Sequence, residues 1–372
     1  MADIEIGRGK RGRVGYSFDE VAVAPSRRTR AVEEVSTAWR IDAYAFDAPI
    51  IAAPMDSVVS PQSAVTLGRL GIPAALNLEG LWGRYPDPLP VLERIRSLPE
   101  DEAVAGLQRL YGEAPIDPDL IARCILQMRE GGVPVTVAVS PQSAAELTPY
   151  AVAAGIDLLV IRGTTVSAEH VSASGTPLNL KTFIYDLDVP VIVGGCATYQ
   201  AALHLMRTGA AGVLVGFGGG AAHTTSDVLG IRVPMASAVA DVAAARRDYL
   251  DESGGRYVHV IADGSVGSSG TLVKAIACGA DAAMLGSVFA RATDSPGRGV
   301  HWGAEAWHSD LPRGERKELG VVGTFEQILR GPSATADGSA NLVGALRKAM
   351  ATTGYSDIKE FQRIDVVLSP SP

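Results

Sequence analysis

The stretch IADGSVGSSGTLVKAIACGADAAMLGS, residues 261–287, reads as one complete β-α-β unit. It continues an apolar run, YVHVIADG (257–264), and breaks into glycines and serines. It then passes through the helical pattern GTLVKAIACGA, turns on a short CGA phrase and enters a second apolar run, DAAMLGSV (281–288). Two nearly continuous apolar runs joined by a helix make parallel strands that are covered on both faces.

Working outward, six more runs of the same kind appear: APIIAAPM (48–55), GIPAALNL (71–78), VPVTVAVS (133–140), IDLLVIRG (156–163), VPVIVGGC (189–196) and AAGVLVGF (210–217). Helical patterns such as SPQSAVTLGRLG, TYQAALHLMRTGA and MASAVADVAAARRDYL alternate with them. Eight β-α units predict a closed (β/α)8 TIM barrel, with an open doubly wound sheet as the alternative. Two stretches depart from the alternation. Residues 79–132 add helical segments, PLPVLERIRSL and PDLIARCILQMREGG, between the second and third strands. Residues 289–341, rich in Trp, His, Gly and Pro, read as a long loop or flap after the eighth. DGSANLVGALRKAMATTGYSDIKEFQR reads as a C-terminal helix. No Ser/Pro-rich linker divides the chain, so one domain is expected over 1–372.

Composition narrows the function. The 372 residues are 47% hydrophobic and 20% charged, enough for a large core and too few charges for a disordered chain. With a net charge of −8 and one short basic tract, GRGKRGR (7–13), nucleic-acid binding is not expected. Cys124, Cys196 and Cys278 form no CxxC pair, and no metal-ligand spacing links the six His, so free buried thiols and no metal are expected. The N-terminus lacks an apolar signal core and no run is long enough to span a bilayer; a cytoplasmic protein is the expectation.

In such barrels chemistry sits at the C-terminal ends of the strands. Strands six, seven and eight end there in GFGGGAAHTT, ADGSVGSSG and LGS, three glycine-rich turns side by side. Glycine lets backbone N–H groups approach phosphate oxygens, and serine adds hydroxyl donors. Ser265, Ser268, Ser269, Gly286 and Ser287 suit a phosphate. Asp263 would repel one and suits ribose hydroxyls. The alternative is that these glycines only let helices pack near strand ends. GFGGGA also fits G-x-G-x-x-A, but the acidic residue at the right spacing, Asp241, falls in a helical pattern, so a Rossmann site is rejected.

On these residues the chain resembles the IMP dehydrogenase / GMP reductase family. YSFDEVAVAPS (16–26), AAPMDSV (52–58), VGFGGGAAHTT (215–225) and the 261–287 stretch each resemble a family motif, the last at length. Residues 79–132 are too short for the family's regulatory CBS pair, so the resemblance is to the branch without it. It implies a homotetramer or higher homo-oligomer, a purine 5′-monophosphate ligand and NAD or NADP as cofactor. By matched position Asp263 would bind ribose, and Gly264, Ser265, Gly286 and Ser287 phosphate. Met55 and Gly303 would lie by the base, and Gly218 and Gly220 in the nucleotide loop, where their carbonyls could also hold a monovalent cation. Arg162, Gly195 and Gly216 would fall on the cofactor side. Family catalysis uses a Cys that attacks the purine and a Thr two residues on. Here His223 stands at the Cys position, with Thr225 matching the Thr. Ala221 replaces a Ser, Gly194-Gly195 a Gly-Asn pair, Ala304 a Met, and Arg162 an Asp near the nicotinamide ribose. Cys196, at the end of strand five, is the one thiol near the mouth. The differences cluster on catalysis and nicotinamide, the retained residues on phosphate and ribose. Two functions follow: an NAD(P)-linked purine-nucleotide oxidoreductase with altered chemistry, or a nucleotide-binding sensor that has lost it. A phosphosugar isomerase would need an acid-base pair that these strand ends do not show.

Overall fold

The computed structural model describes residues 3–171 and 177–369 and closes the eight runs into a barrel. The strands are β1 (Ile50–Ala52), β2 (Ala75–Asn77), β3 (Thr136–Val139), β4 (Leu158–Arg162), β5 (Val191–Cys196), β6 (Gly212–Gly219), β7 (His259–Gly264) and β8 (Ala282–Leu285). They pair in parallel in the order β1-β8-β7-β6-β5-β4-β3-β2. A parallel bridge from Ala52 to Ala74 closes the ring, with the Ala52 N–H donating to the Pro73 carbonyl at 2.9 Å. That closure excludes the open doubly wound sheet. Ile50, Val137, Ile161, Val193, Val213 and Ile261 are fully buried, as strands covered on both faces require.

Eight helices wrap the barrel: α1 (Pro61–Arg69), α2 (Pro118–Glu130), α3 (Ala144–Ala154), α4 (Leu180–Tyr185), α5 (Tyr199–Met206), α6 (Met235–Glu252), α7 (Ser269–Ala277) and α8 (Leu342–Thr352). Their starts are written locally. Ser60, Asp117, Asn179, Thr198 and Ser268 each accept an N–H of the first turn, and proline opens α1 and α2. The C-terminal stretch expected as one helix is two. The Thr353 hydroxyl donates to the Ala349 carbonyl at 2.8 Å, Gly354 turns at φ +86, and Asp357 caps a second short helix, α9 (Ile358–Phe361).

At the N-terminal end of β8 the fully buried Asp281 gathers five donors. Arg246 Nη1 and Tyr257 Oη each lie at 2.7 Å, the Val260 N–H at 2.8 Å, Gln362 Nε2 at 2.9 Å and Lys359 Nζ at 2.5 Å. Burial opposes ionisation of this carboxyl, but Arg246 and Lys359 overcome it and hold it well below the usual carboxylate range. The cluster ties α9 and α6 to the barrel floor.

The insertion and flap are more ordered than their sequences predict. Residues 79–132 hold three helices, Leu89–Arg96, Ala103–Gly112 and α2, which is the barrel's own second helix. The flap contains a hairpin, Val300–Trp302 with Arg316–Glu318, and a helix, Phe325–Arg330. Insertion and flap share a second apolar core in which Leu81, Leu92, Ile95, Leu107, Leu110 and Trp302 are buried. Trp302 is sealed at 1% exposure, so this part of the flap is a packed wall of the fold. The Arg316 guanidinium adds donors to the Ile95 carbonyl at 2.9 Å and to that of Arg96.

Two strand-end glycines are dictated by packing. A Cβ at Gly195 would lie 2.1 Å from the Gly216 carbonyl oxygen, and one at Gly216, where φ is +138, would lie 2.1 Å from that of Asp263. Gly216→Ala is expected to cost about 2–3 kcal/mol, since backbone must move in a close-packed wall. A urea titration checks it, and an unshifted midpoint would refute this role.

Candidate functional site

At the C-terminal ends of the strands, β6, β7 and β8 hand over to the loops that form a cavity of about 280 Å3. Gly264 at φ +100 and Ser265 at φ +57 turn the chain after β7. The Ser265 N–H and hydroxyl donate to the Gly219 carbonyl at 3.0 and 3.2 Å, which ties this turn to the β6 loop. Gly286 and Ser287 leave β8 into a short helix, Ser287–Ala290. A Cβ at Gly286 would lie 2.9 Å from Met55 Sδ, so the glycine leaves room for the thioether. Met55, Gly219, Gly220, His223, Asp263, Gly264, Ser265, Gly286, Ser287 and His301 all line this glycine-lined cavity.

Arg162, at the end of β4, lines it too, and also a larger neighbouring cavity of about 400 Å3. Its Nε donates to Asp263 Oδ2 at 2.8 Å. The two side chains are 13% and 11% exposed, so the pair is only weakly screened. Burial disfavours the guanidinium charge, but the Asp263 carboxylate outweighs it and holds Arg162 above its ordinary value. Asp263, expected to be free for ribose, is therefore already engaged through one oxygen.

Two imidazoles face the glycine-lined cavity. Burial, and secondarily Arg162, pushes His223 down to about 4. Burial, and secondarily His223, pushes His301 down to about 3. Both are neutral at physiological pH and act as hydrogen-bonding groups there. His301 Nδ1 lies 2.8 Å from Ser57 Oγ, whereas His223 Nδ1 is buried with no partner. Beyond Arg162, Glu305 accepts from Thr164 Oγ1 at 2.8 Å and Arg313 Nε at 3.1 Å. Burial would raise the Glu305 carboxyl, but those donors hold it below its ordinary value.

None of the three thiols lines either cavity. Cys196 is buried, points its Sγ at the Leu214 carbonyl at 3.4 Å, and is pushed by burial up to about 12. Burial raises Cys124 and Cys278 to about 11. No thiolate nucleophile is available from them.

Several residues expected at the site have other places. Ser268 caps α7 through Thr271, and the Ser269 N–H donates to the Gly338 carbonyl at 2.8 Å; neither lines the cavity. Gly195 and Gly216 are packing positions within β5 and β6. A Cβ at Gly303 would lie 2.8 Å from the Ala222 carbonyl oxygen, so that glycine seats the flap on the His223 loop. Thr225 opens a short helix, Thr225–Leu229, with its hydroxyl buried and unpartnered. Thr164, Glu305, Arg313 and the Ser57–His301 pair were not expected. The Thr164–Glu305, Thr164–Arg313 and Ser57–His301 contacts join residues 141 to 244 positions apart, which no local pattern signals.

Among the described residues no helix is long and apolar enough to cross a membrane. The family model for the IMP dehydrogenase / GMP reductase domain matches residues 15–309. An uncharacterized oxidoreductase of Mycolicibacterium smegmatis is 54% identical over 98% of this chain and 99% of that protein. One of Mycobacterium tuberculosis strain H37Rv is 52% identical over 98% and 99%. The inosine-5′-monophosphate dehydrogenase of Thermoplasma acidophilum is 34% identical over 56% of this chain and 44% of that protein. The crystal structure of an IMP dehydrogenase/GMP reductase-like protein from Corynebacterium glutamicum superposes with a TM-score of 0.94 at 48% identity, over 98% of this chain and 97% of that one. With its barrel, its strand-end loops and these relatives, the chain belongs to the IMP dehydrogenase / GMP reductase family.

Proposed function

We propose that the glycine-lined cavity binds a purine 5′-monophosphate without covalent attachment, and that the chain serves as a nucleotide-responsive binding protein. The observation that carries this is the composition of the cavity wall. Gly264, Ser265, Gly286 and Ser287 offer backbone N–H groups and hydroxyls for a phosphate, while no thiol reaches the cavity. Asp263 supplies a ribose acceptor through its second oxygen. Met55 supplies a soft apolar contact for the base. Adding a nucleophile to a purine carbon needs a thiolate or its equal, and a neutral buried imidazole is a poor one.

The surroundings do not fit an oxidised nicotinamide beside the base. That ring carries a positive charge, and the Arg162 guanidinium stands on the wall that both cavities share. A second reading, an NAD(P)-linked purine-nucleotide oxidoreductase, draws on the same wall, because ligands in the two cavities would meet at one side chain.

Calorimetric titration with IMP, GMP and XMP and with their nucleosides tests the first reading. Micromolar binding of a monophosphate, with its nucleoside weaker by about 100-fold, is expected from loss of the charge-assisted phosphate contacts. Equal binding of nucleoside and nucleotide, or no binding of either, would sink it. Steady nicotinamide turnover with IMP or GMP would replace it with the second.

A further inference from the structure

Arg162 is bonded to the protein through one of its nitrogens. Nε meets Asp263, while among the described residues Nη1 and Nη2 have no hydrogen-bond partner and are not sealed from solvent. Four N–H donors of a largely shielded guanidinium therefore remain in a fixed planar fork that matches a carboxylate. The larger cavity is the place for that group. Of its other charges, Glu305 is paired with Arg313, while Glu79 is fixed by neutral donors that leave its charge in place: the Ser140 N–H at 2.6 Å, Ser140 Oγ at 2.9 Å and Ser143 Oγ at 2.7 Å. A dianionic phosphate suits it poorly. Among the described residues Gly163 is the one glycine in its lining, so they form no backbone nest, and Glu79 and Glu305 oppose a second negative charge.

We propose that the larger cavity is a site for a small monocarboxylate, held bidentate by the free fork of Arg162, and that its occupation loosens Arg162 from Asp263. The second half rests on the nucleotide reading above. Asp263 then accepts both ribose hydroxyls in the neighbouring cavity, so carboxylate and nucleotide assist each other's binding. By linkage the assistance is equal in both directions.

Propionate is the probe, with propionamide as its uncharged counterpart and inorganic phosphate and NADP as competitors. Saturation-transfer NMR on the full chain is expected to show propionate bound and propionamide not. Saturating propionate is expected to tighten the Kd of IMP about tenfold. Arg162→Met and Arg162→Lys should both lose the propionate signal, the lysine variant because it keeps the charge without the fork. Asp263→Asn should keep the signal and lose the coupling, which also shows that the barrel tolerates a broken pair. Propionate binding that survives Arg162→Met, or is matched by propionamide, overturns the site. Displacement by phosphate or NADP below the propionate Kd overturns its carboxylate assignment. An IMP Kd indifferent to propionate overturns the coupling. If no nucleotide binds at all, the purine reading fails, while the NMR experiment still decides the carboxylate site.

Discussion

Acidifying the protein from about pH 6.5 to about pH 4.5 is expected to remove about 5 kcal/mol of folding stability. Three imidazoles drive the loss. Burial pushes His223 and His259 down to about 4 and His301 to about 3. In the unfolded chain each takes a proton near pH 6.5, whereas in the fold each stays neutral. The unfolded state therefore binds more protons, and stability falls as pH falls. Asp56 works in the opposite direction. Its carboxyl is buried and pushed up to about 6, so in the fold it is protonated before its unfolded counterpart, and it returns part of the loss between about pH 6 and 4. Three protons against one leave a slope of about 3 kcal/mol per pH unit in the steepest part. Urea unfolding at a series of pH values measures it. A curve flat over this range would mean that the buried imidazoles are protonated in the fold or reach solvent.

Asp281→Ala is expected to destabilise the fold by about 3–5 kcal/mol, because it leaves Arg246 buried without its counter-charge. For a chain of this size that corresponds to a loss of roughly 4–6 °C in Tm. Lys359→Met should cost much less, since the Lys359 side chain is 53% exposed and Arg246 still neutralises the carboxylate. Thermal melts of the two variants separate the cases. Equal losses would show that the cluster is held by α9 docking and not by the charge on Asp281.

The barrel was legible in the sequence because its strands are short apolar runs buried on both faces and its helix starts carry Ser, Asp, Asn or Thr caps. These are local signals. That Gly264, Ser265, Gly286 and Ser287 would line one cavity was legible for the same reason: they leave adjacent strands, and strand adjacency follows from the barrel. What failed was the meaning of a residue with two possible tasks. Gly195 and Gly216 look alike as ligand glycines or packing glycines until the distance to the next backbone is known. Ser268 serves equally well as a phosphate donor or a helix cap, and here it caps. The Arg162–Asp263 pair, 101 positions apart, depends on side-chain reach across the barrel mouth and has no local trace. The flap misled for a related reason. Its Trp and His content matches a wet loop or a buried wall equally, and the partner that decides, the Leu107–Tyr111 helix face, lies far away in sequence.

The small second core also has a kinetic consequence. Trp302 donates its indole N–H to Tyr111 Oη at 2.9 Å, and the Tyr111 hydroxyl donates to Asp56 at 2.6 Å, one residue from Met55. The next flap residue before Trp302, His301, is itself part of the cavity wall. Withdrawing that wall means breaking a packed cluster and a buried hydrogen-bonded chain together, so this side of the cavity moves only as often as the cluster opens. The rate of that movement is then set by the insertion, whose helices do not line the cavity.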